Sequence, residues 1–225
     1  MNYTAKHVYT EKRIASDYDA KRFRSWRGKT VDRRERTYIA EGIAQLSGQS
    51  PNQMVLDAPS GTGRLTEELL QRGYRVVAVD ISLEMMRQGE ADRNLRSLPN
   101  FVGYVCADLE HLPFRSGALD VTCSLRVMGH LPPEVKRRVL DEFRRVSRVG
   151  AVIIFALDSA VLRSKRWVFQ LLRLRPKPAM WFPASHPQIV SLASTNGWEI
   201  VASRDLVKWI SESRLYVFRP RAIDR

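Results

Sequence analysis

Three aspartates and two glycines in the first half of the chain have the types and spacing to hold a ligand. Asp57 is followed by Ala58-Pro-Ser-Gly-Thr-Gly63. Gly61 and Gly63 allow a tight turn and a close approach of the main chain to whatever lies there. Asp80 comes 17 residues after Gly63, at the end of the apolar run Val76–Val79. A carboxylate in that place can accept hydrogen bonds from both hydroxyls of a ribose. Asp108 follows a third apolar run, Phe101–Cys106, where an acid can meet the exocyclic amine of an adenine ring. One aspartate at a strand end is commonly a cap or turn former; three in succession describe one wall of a nucleoside pocket. The same residues exclude nucleotide polyphosphates. No Gly-Lys-Ser/Thr follows Gly63, and Leu65 and Thr66 occupy the region of a dinucleotide loop's third glycine. Asp57 would repel a pyrophosphate but suits a ligand with a positive centre and an amino group.

Such groups need strand–loop–helix units to position them, and the apolar pattern supplies these. Strands are predicted at Gln53–Leu56, Tyr74–Val79, Phe101–Cys106, Leu119–Ser124 and Ala151–Leu157. Between them lie helical patterns at Arg64–Gln71, Leu83–Arg96 with Ser82 as N-cap, and Pro133–Ser147 with proline in its first turn. Strands apolar on both faces, alternating with helices, predict a Rossmann-like, mostly parallel sheet with helices on both faces. A helix near Pro187–Thr195, then strands Trp198–Ala202 (running on towards Val207) and Arg214–Arg219, predict an antiparallel pair at the sheet edge. Upstream, Asp32 is a plausible N-cap for a helix ending near Leu46. The chain is thus divided into an N-terminal helical cap (1–50) and a ligand-binding domain (51–225) carrying a lid insert at about 159–184.

Asp57-x-x-x-Gly61-x-Gly63, Val79-Asp80 and Ala107-Asp108-Leu109-x-x-Leu112-Pro113-Phe114 together resemble the class I S-adenosylmethionine-dependent methyltransferases, in particular the group that includes the UbiE/COQ5-like enzymes. Leu119-Asp120-Val121, His130-Leu131-Pro132 and Phe143-Arg-Arg-Val146 fit the later motifs of that group. The resemblance covers roughly residues 50–160. The chain departs from the usual pattern at Pro59-Ser60 and at Arg64. The resemblance implies a seven-stranded sheet with an antiparallel last strand and S-adenosylmethionine as cofactor. It places Asp57, Gly61 and Gly63 around the methionyl part, Asp80 at the ribose, and Asp108 with Leu109 at the adenine, with Ala58 and Ile81 also among the cofactor-binding residues. Tyr18-Asp-Ala-Lys-Arg22-Phe23 is similar to a stretch that caps the cofactor in some relatives, so Tyr18 could cover the sulfonium and Arg22 pair with the methionyl carboxylate; a solvated basic helix explains the same residues.

The acceptor side is less defined. His130 could serve as a general base for a substrate hydroxyl, or simply pack at a helix start. Arg126 could bind an acidic substrate or the cofactor carboxylate. Arg163 and Trp167 lie on an arginine-faced amphipathic helix in the insert. That helix suits a lipid-like or anionic acceptor, peripheral contact with an anionic membrane surface, or only water. The net charge of +13 agrees with an acidic partner without naming one. An RNA methyltransferase is one alternative, opposed by the missing Asn/Asp-Pro-Pro-Tyr segment and by the lack of an RNA-binding module. A non-catalytic cofactor-binding regulatory partner is another. Cys106 and Cys123 sit in apolar runs and read as two buried thiols; no Cys/His cluster has metal spacing. No apolar run reaches membrane-spanning length and no secretory signal is visible, which points to the cytoplasm.

Overall fold

The structure is a computed structural model that describes residues 26–48, 52–158, 181–206 and 212–221. Helix α1 (Trp26–Ser47) leads into strand β1 (Met54–Asp57), helix α2 (Arg64–Gln71) and strand β2 (Arg75–Asp80). Helix α3 (Leu83–Arg93) and a short 3₁₀ turn precede β3 (Phe101–Cys106) and β4 (Leu119–Ser124). Helix α4 (Pro133–Val146) passes directly into β5 (Ser147–Ala156). Helix α5 (His186–Thr195), β6 (Trp198–Asp205) and β7 (Ser213–Pro220) complete the order.

The seven strands form one sheet in the order β3-β2-β1-β4-β5-β7-β6. β1 to β5 run parallel, and β7 enters antiparallel between β5 and β6. The reversal between β1 and β4 leaves a crevice at the carboxyl ends of the central strands, the usual ligand position in open α/β sheets. Alternation along β5 shows how the sheet is filled. Ile153 and Phe155 face a layer with Val139, Leu140 and Phe143 of α4 and Ile189 of α5. Val152 and Ile154 face the opposite layer, with Ile39, Ile43 and Leu46 of α1 and Leu65, Leu69 and Leu70 of α2. A strand apolar at successive positions is the expected result of burial on both faces.

Most predicted elements stand within a residue or two of their observed limits, with four corrections. α1 begins six residues before Asp32, which therefore lies inside the helix; its carboxylate binds Arg36 and Arg64. The helix predicted to reach Arg96 stops at Arg93, because Asn94 adopts a left-handed conformation (φ 49°) and a 3₁₀ turn follows. β5 starts at Ser147, four residues earlier than its apolar run suggests, since parallel pairing with Leu119 begins there. Cys123 is buried, but Cys106 is exposed at the end of the edge strand β3, where only one side has a neighbouring strand.

Gly150 marks the tightest place in this packing. A Cβ there would lie 2.3 Å from the Phe218 carbonyl oxygen and 2.8 Å from a Leu46 methyl. Gly150→Ala must push β5 from β7 and from α1. It is expected to lower stability by about 1–3 kcal/mol in a denaturant titration; an unchanged midpoint would contradict the packing described.

Candidate active site

β1 ends in Asp57, whose side chain is wholly buried. Its Oδ2 accepts a 2.6 Å hydrogen bond from the Thr66 hydroxyl in the first turn of α2. Its Oδ1 is buried without a hydrogen-bond partner among the described residues. Burial pushes the carboxyl up to about 7, against the lowering effect of the Thr66 hydroxyl, and the nearby Asp80 charge adds to the rise. A buried acid in this state is costly to ionise alone and is relieved by a cationic or hydrogen-bond-donating ligand.

Asp80, at the tip of β2, organises the loop beside it. Its Oδ2 accepts the Gly61 N–H at 2.7 Å and its Oδ1 accepts the Ser82 N–H at 2.8 Å. One carboxylate thus fixes the glycine loop and the entry to α3, where the Ser82 hydroxyl caps the Met85 N–H. Burial raises the Asp80 carboxyl, while these amides pull it down. The loop needs its glycines. Gly61 and Gly63 have φ of 55° and 78°, and a Cβ on Gly63 would lie 2.4 Å from a Leu95 methyl. Gly89 of α3 completes the enclosure: a Cβ there would lie 2.5 Å from the Thr62 carbonyl oxygen, so the helix rests directly on the loop backbone.

The tips of β1, β2 and β3 bring Asp57, Gly61, Asp80, Ile81, Asp108 and Leu109 to one side of a single cleft. The Asp108 carboxylate accepts the Glu110 N–H at 3.1 Å, which orients it. The tip of β4 lines the other side with Leu125, Arg126, Val127, His130 and Leu131. Asp57, Gly61, Asp80, Ile81, Asp108, Leu109, Arg126 and His130 therefore line one cleft.

Two predicted residues behave differently. The Ala58 side chain is buried in the core, and its N–H is tied to the Cys123 carbonyl at 3.0 Å, so it shapes the turn rather than facing a ligand. Gly63 likewise turns the chain, donating to the Ser60 carbonyl and accepting from Glu67. Arg126 has a positive φ of 67° and donates to Glu35 of α1, at 2.6 Å from Nε. Its charge is thus engaged by a buried carboxylate of this chain. Arg64 is similarly joined to Asp32 at 2.5 Å. Tyr18, Arg22, Arg163 and Trp167 lie outside the described residues.

The sequence reading missed several contributors. Thr66 was legible in principle as a polar residue among Leu65, Leu69 and Leu70 on a buried helix face. Gly89, alone inside a helix, was a signal of close backbone approach. Asp32 and Glu35 gave no such signal, because their partners are distant in sequence. Lys136 is buried in the first turn of α4; its ammonium donates to the Phe182 carbonyl, and burial lowers it to about 8.

A 3-2-1-4-5-7-6 sheet with carboxylates at three adjacent strand tips defines a Rossmann-like nucleoside-binding protein without a polyphosphate loop. Comparison with known proteins agrees with this and narrows it. A methyltransferase-domain model matches residues 56–155. A demethylmenaquinone methyltransferase from Corynebacterium urealyticum is 30% identical over 177 residues, which cover 70% of this chain and 72% of that protein. A malonyl-[acyl-carrier protein] O-methyltransferase from Hamiltonella defensa is 33% identical over 114 residues, 51% of this chain and 41% of that protein. This chain spans about half the length of several curated relatives it matches, for instance 50% of the Thermobifida fusca demethylmenaquinone methyltransferase. Magnesium protoporphyrin IX methyltransferase from Synechocystis, solved with bound SAH, shares the fold at 19% identity, with a TM-score of 0.73 over 96% of this chain and 99% of that one. The chain belongs to the class I S-adenosylmethionine-dependent methyltransferases, whose cofactor is S-adenosylmethionine.

The buried carboxylate at Asp57 gives a test with opposite signs. Its folded value of about 7 lies above the ordinary 3.8, so the folded state favours the protonated form. The contribution to stability is complete below 3.8 and is lost as pH rises through about 7. Asp57→Asn removes this loss. Without cofactor, the melting temperature of D57N relative to wild type should rise between pH 5 and pH 8. At pH 8 the same variant should bind S-adenosylmethionine more weakly. A pH-independent difference in melting temperature would show that Asp57 is ionised throughout.

Proposed function

We propose that the chain transfers a methyl group from S-adenosylmethionine to a nucleophilic atom of a small, lipid-like and anionic acceptor, with His130 taking the acceptor's proton. The observation that carries this reading is the division of one cleft into two chemistries. Three acids line the side formed by β1, β2 and β3, and the side formed by β4 is lined by Leu125, Val127 and Leu131 with the His130 imidazole and the Glu35-paired Arg126. On the first side, the unpartnered Oδ1 of Asp57 fits the cofactor's amino group and positive centre. Asp80 is oriented to hold the ribose, Asp108 and Leu109 to frame the adenine, and the Gly61 loop to admit the methionyl chain. S-adenosylmethionine supplies a methyl group already bonded to a cationic sulfur. The protein aligns the acceptor with it and excludes water. Tyr18 and Arg22 complete the methionyl end as a cap, and Arg163 and Trp167 extend the acceptor side from the insert.

The names of the relatives support this kind of acceptor: demethylmenaquinone and malonyl-[acyl-carrier protein] belong to those proteins. The net charge of +13 supports an anionic acceptor and peripheral contact with the cytoplasmic side of a membrane. Among the described residues, no helix is long and apolar enough to cross one.

Asp80→Asn tests the donor side. The amide keeps the size but offers only one acceptor oxygen for the Gly61 and Ser82 amides. Calorimetry should show S-adenosylmethionine affinity falling on the order of tenfold to a hundredfold. Binding equal to wild type would remove the donor assignment.

A further inference from the structure

Besides His130, the charged side chains that line the cleft are the carboxylates of Asp57, Asp80 and Asp108 and the guanidiniums of Arg64 and Arg126. Left to themselves, the two guanidiniums would offset most of the charge of the three carboxylates. One turn of α1 opposes this. Asp32 and Glu35 are three residues apart, so they leave the helix on the same face. Asp32 Oδ1 accepts from Arg64 Nη1 at 2.5 Å, directly after the glycine loop that follows β1. Glu35 Oε2 accepts from Arg126 Nε at 2.6 Å, directly after β4. The neighbouring Arg33 and Arg34 are exposed instead. Both acids are buried, and neither lines the cleft itself. Side-chain exposure is 18% for Arg126 and 4% for Glu35, too little for salt to screen that pair fully. Asp32 is shared with Arg36, which also holds Glu68, so the Glu35–Arg126 pair is the simpler one to alter.

From this arrangement we infer that Asp32 and Glu35 set the selectivity of the cleft for the cationic methyl donor over its neutral product. They act through Arg64 and Arg126, whose charge they offset. The inference rests on the donor reading of this cleft and adds a property to it. S-adenosylmethionine and S-adenosylhomocysteine differ by one methyl group and by one positive charge, on sulfur. Contacts to the nucleoside and amino-acid parts, which the two share, act on both alike; the potential in the cleft acts on the difference. Beside a part-buried cleft, one added unit charge changes the affinity for a cation by about tenfold. Two acids of a helix outside the strand-tip motifs thereby help to choose the ligand. The same setting favours release of the product, whose sulfur is neutral.

The test titrates the full chain by calorimetry with S-adenosylmethionine and, separately, with S-adenosylhomocysteine at low salt. What is read is the ratio of the two affinities, because a merely loosened cleft weakens both ligands alike and leaves the ratio in place. Glu35→Gln adds one net positive charge beside the cleft, and the ratio should fall about tenfold against the cationic donor. Arg126→Gln removes one, and the ratio should rise by about threefold. The double variant Glu35→Gln/Arg126→Gln keeps both shapes without either charge, and its ratio should return to within about twofold of wild type. Raising the salt to about 0.5 M should shrink the change in each single variant. Equal weakening of both ligands in E35Q would make the pair a brace only and overturn the inference. So would a double variant whose ratio stays at that of E35Q. If E35Q does not fold, an unchanged ratio in R126Q overturns it just as well. Each of these outcomes leaves the donor reading intact, whereas failure of wild type to bind either ligand would overturn that reading itself.

Discussion

The carboxylate of Asp80 holds two backbone amides, one per oxygen, from two different stretches of chain. The rest of the site depends on that arrangement. Gly61 brings the loop after β1 into register with the tip of β2, and Ser82 brings in the start of α3. The loop is then trapped between α3, which rests on it at Gly89, and Leu95, which fills the space a larger residue at Gly63 would need. Each oxygen has already oriented one donor before any ligand arrives. Pre-orientation of this kind lowers the ordering cost of binding.

The acids and the guanidiniums that line the cleft meet different surroundings. At Asp57 and Asp80, burial is the largest influence and disfavours charge, and Asp57 keeps one oxygen without a hydrogen-bond partner among the described residues. At Arg126 and Arg64, each guanidinium meets an acid of α1. Breaking such a part-buried pair on one side leaves a charge that neither water nor protein satisfies, which is why these pairs hold their geometry. Among the described residues, the cleft therefore keeps a negative wall beside two guanidiniums whose charge is already met by acids of α1.

The sheet was legible in the sequence because its strands are apolar on both faces and its helices carry clear boundary residues such as Ser82 and Pro133. The donor wall was legible because each acid follows directly on a strand, so sequence adjacency became spatial position. Ala58 misled because it shares a loop with residues that face the cleft; alternate directions of the turn send it into the core. In the sequence Arg126 reads as a cation for an acidic substrate or the cofactor carboxylate, because its partner Glu35 lies 91 residues away. Nor did periodicity foretell that the Trp181 indole rests on Gly129, a contact between residues 52 positions apart. Long-range pairing and the path of connections are properties of the packed chain, and local pattern carries little of either.

Helix α1 has a consequence for where the working unit of this protein begins. The sequence places it in a cap before residue 51, as though it were an accessory. In the fold, its apolar face closes the layer over Val152, Ile154 and Val217, while Asp32 and Glu35 reach arginines beside two different strand tips. It is both a wall of the core and a brace across the mouth of the site. A shortened chain beginning at residue 51 would not be a smaller enzyme with its lid removed. It would be a sheet with part of one face uncovered, where Val152, Ile154 and Val217 meet α1, and with two guanidiniums released beside the cleft.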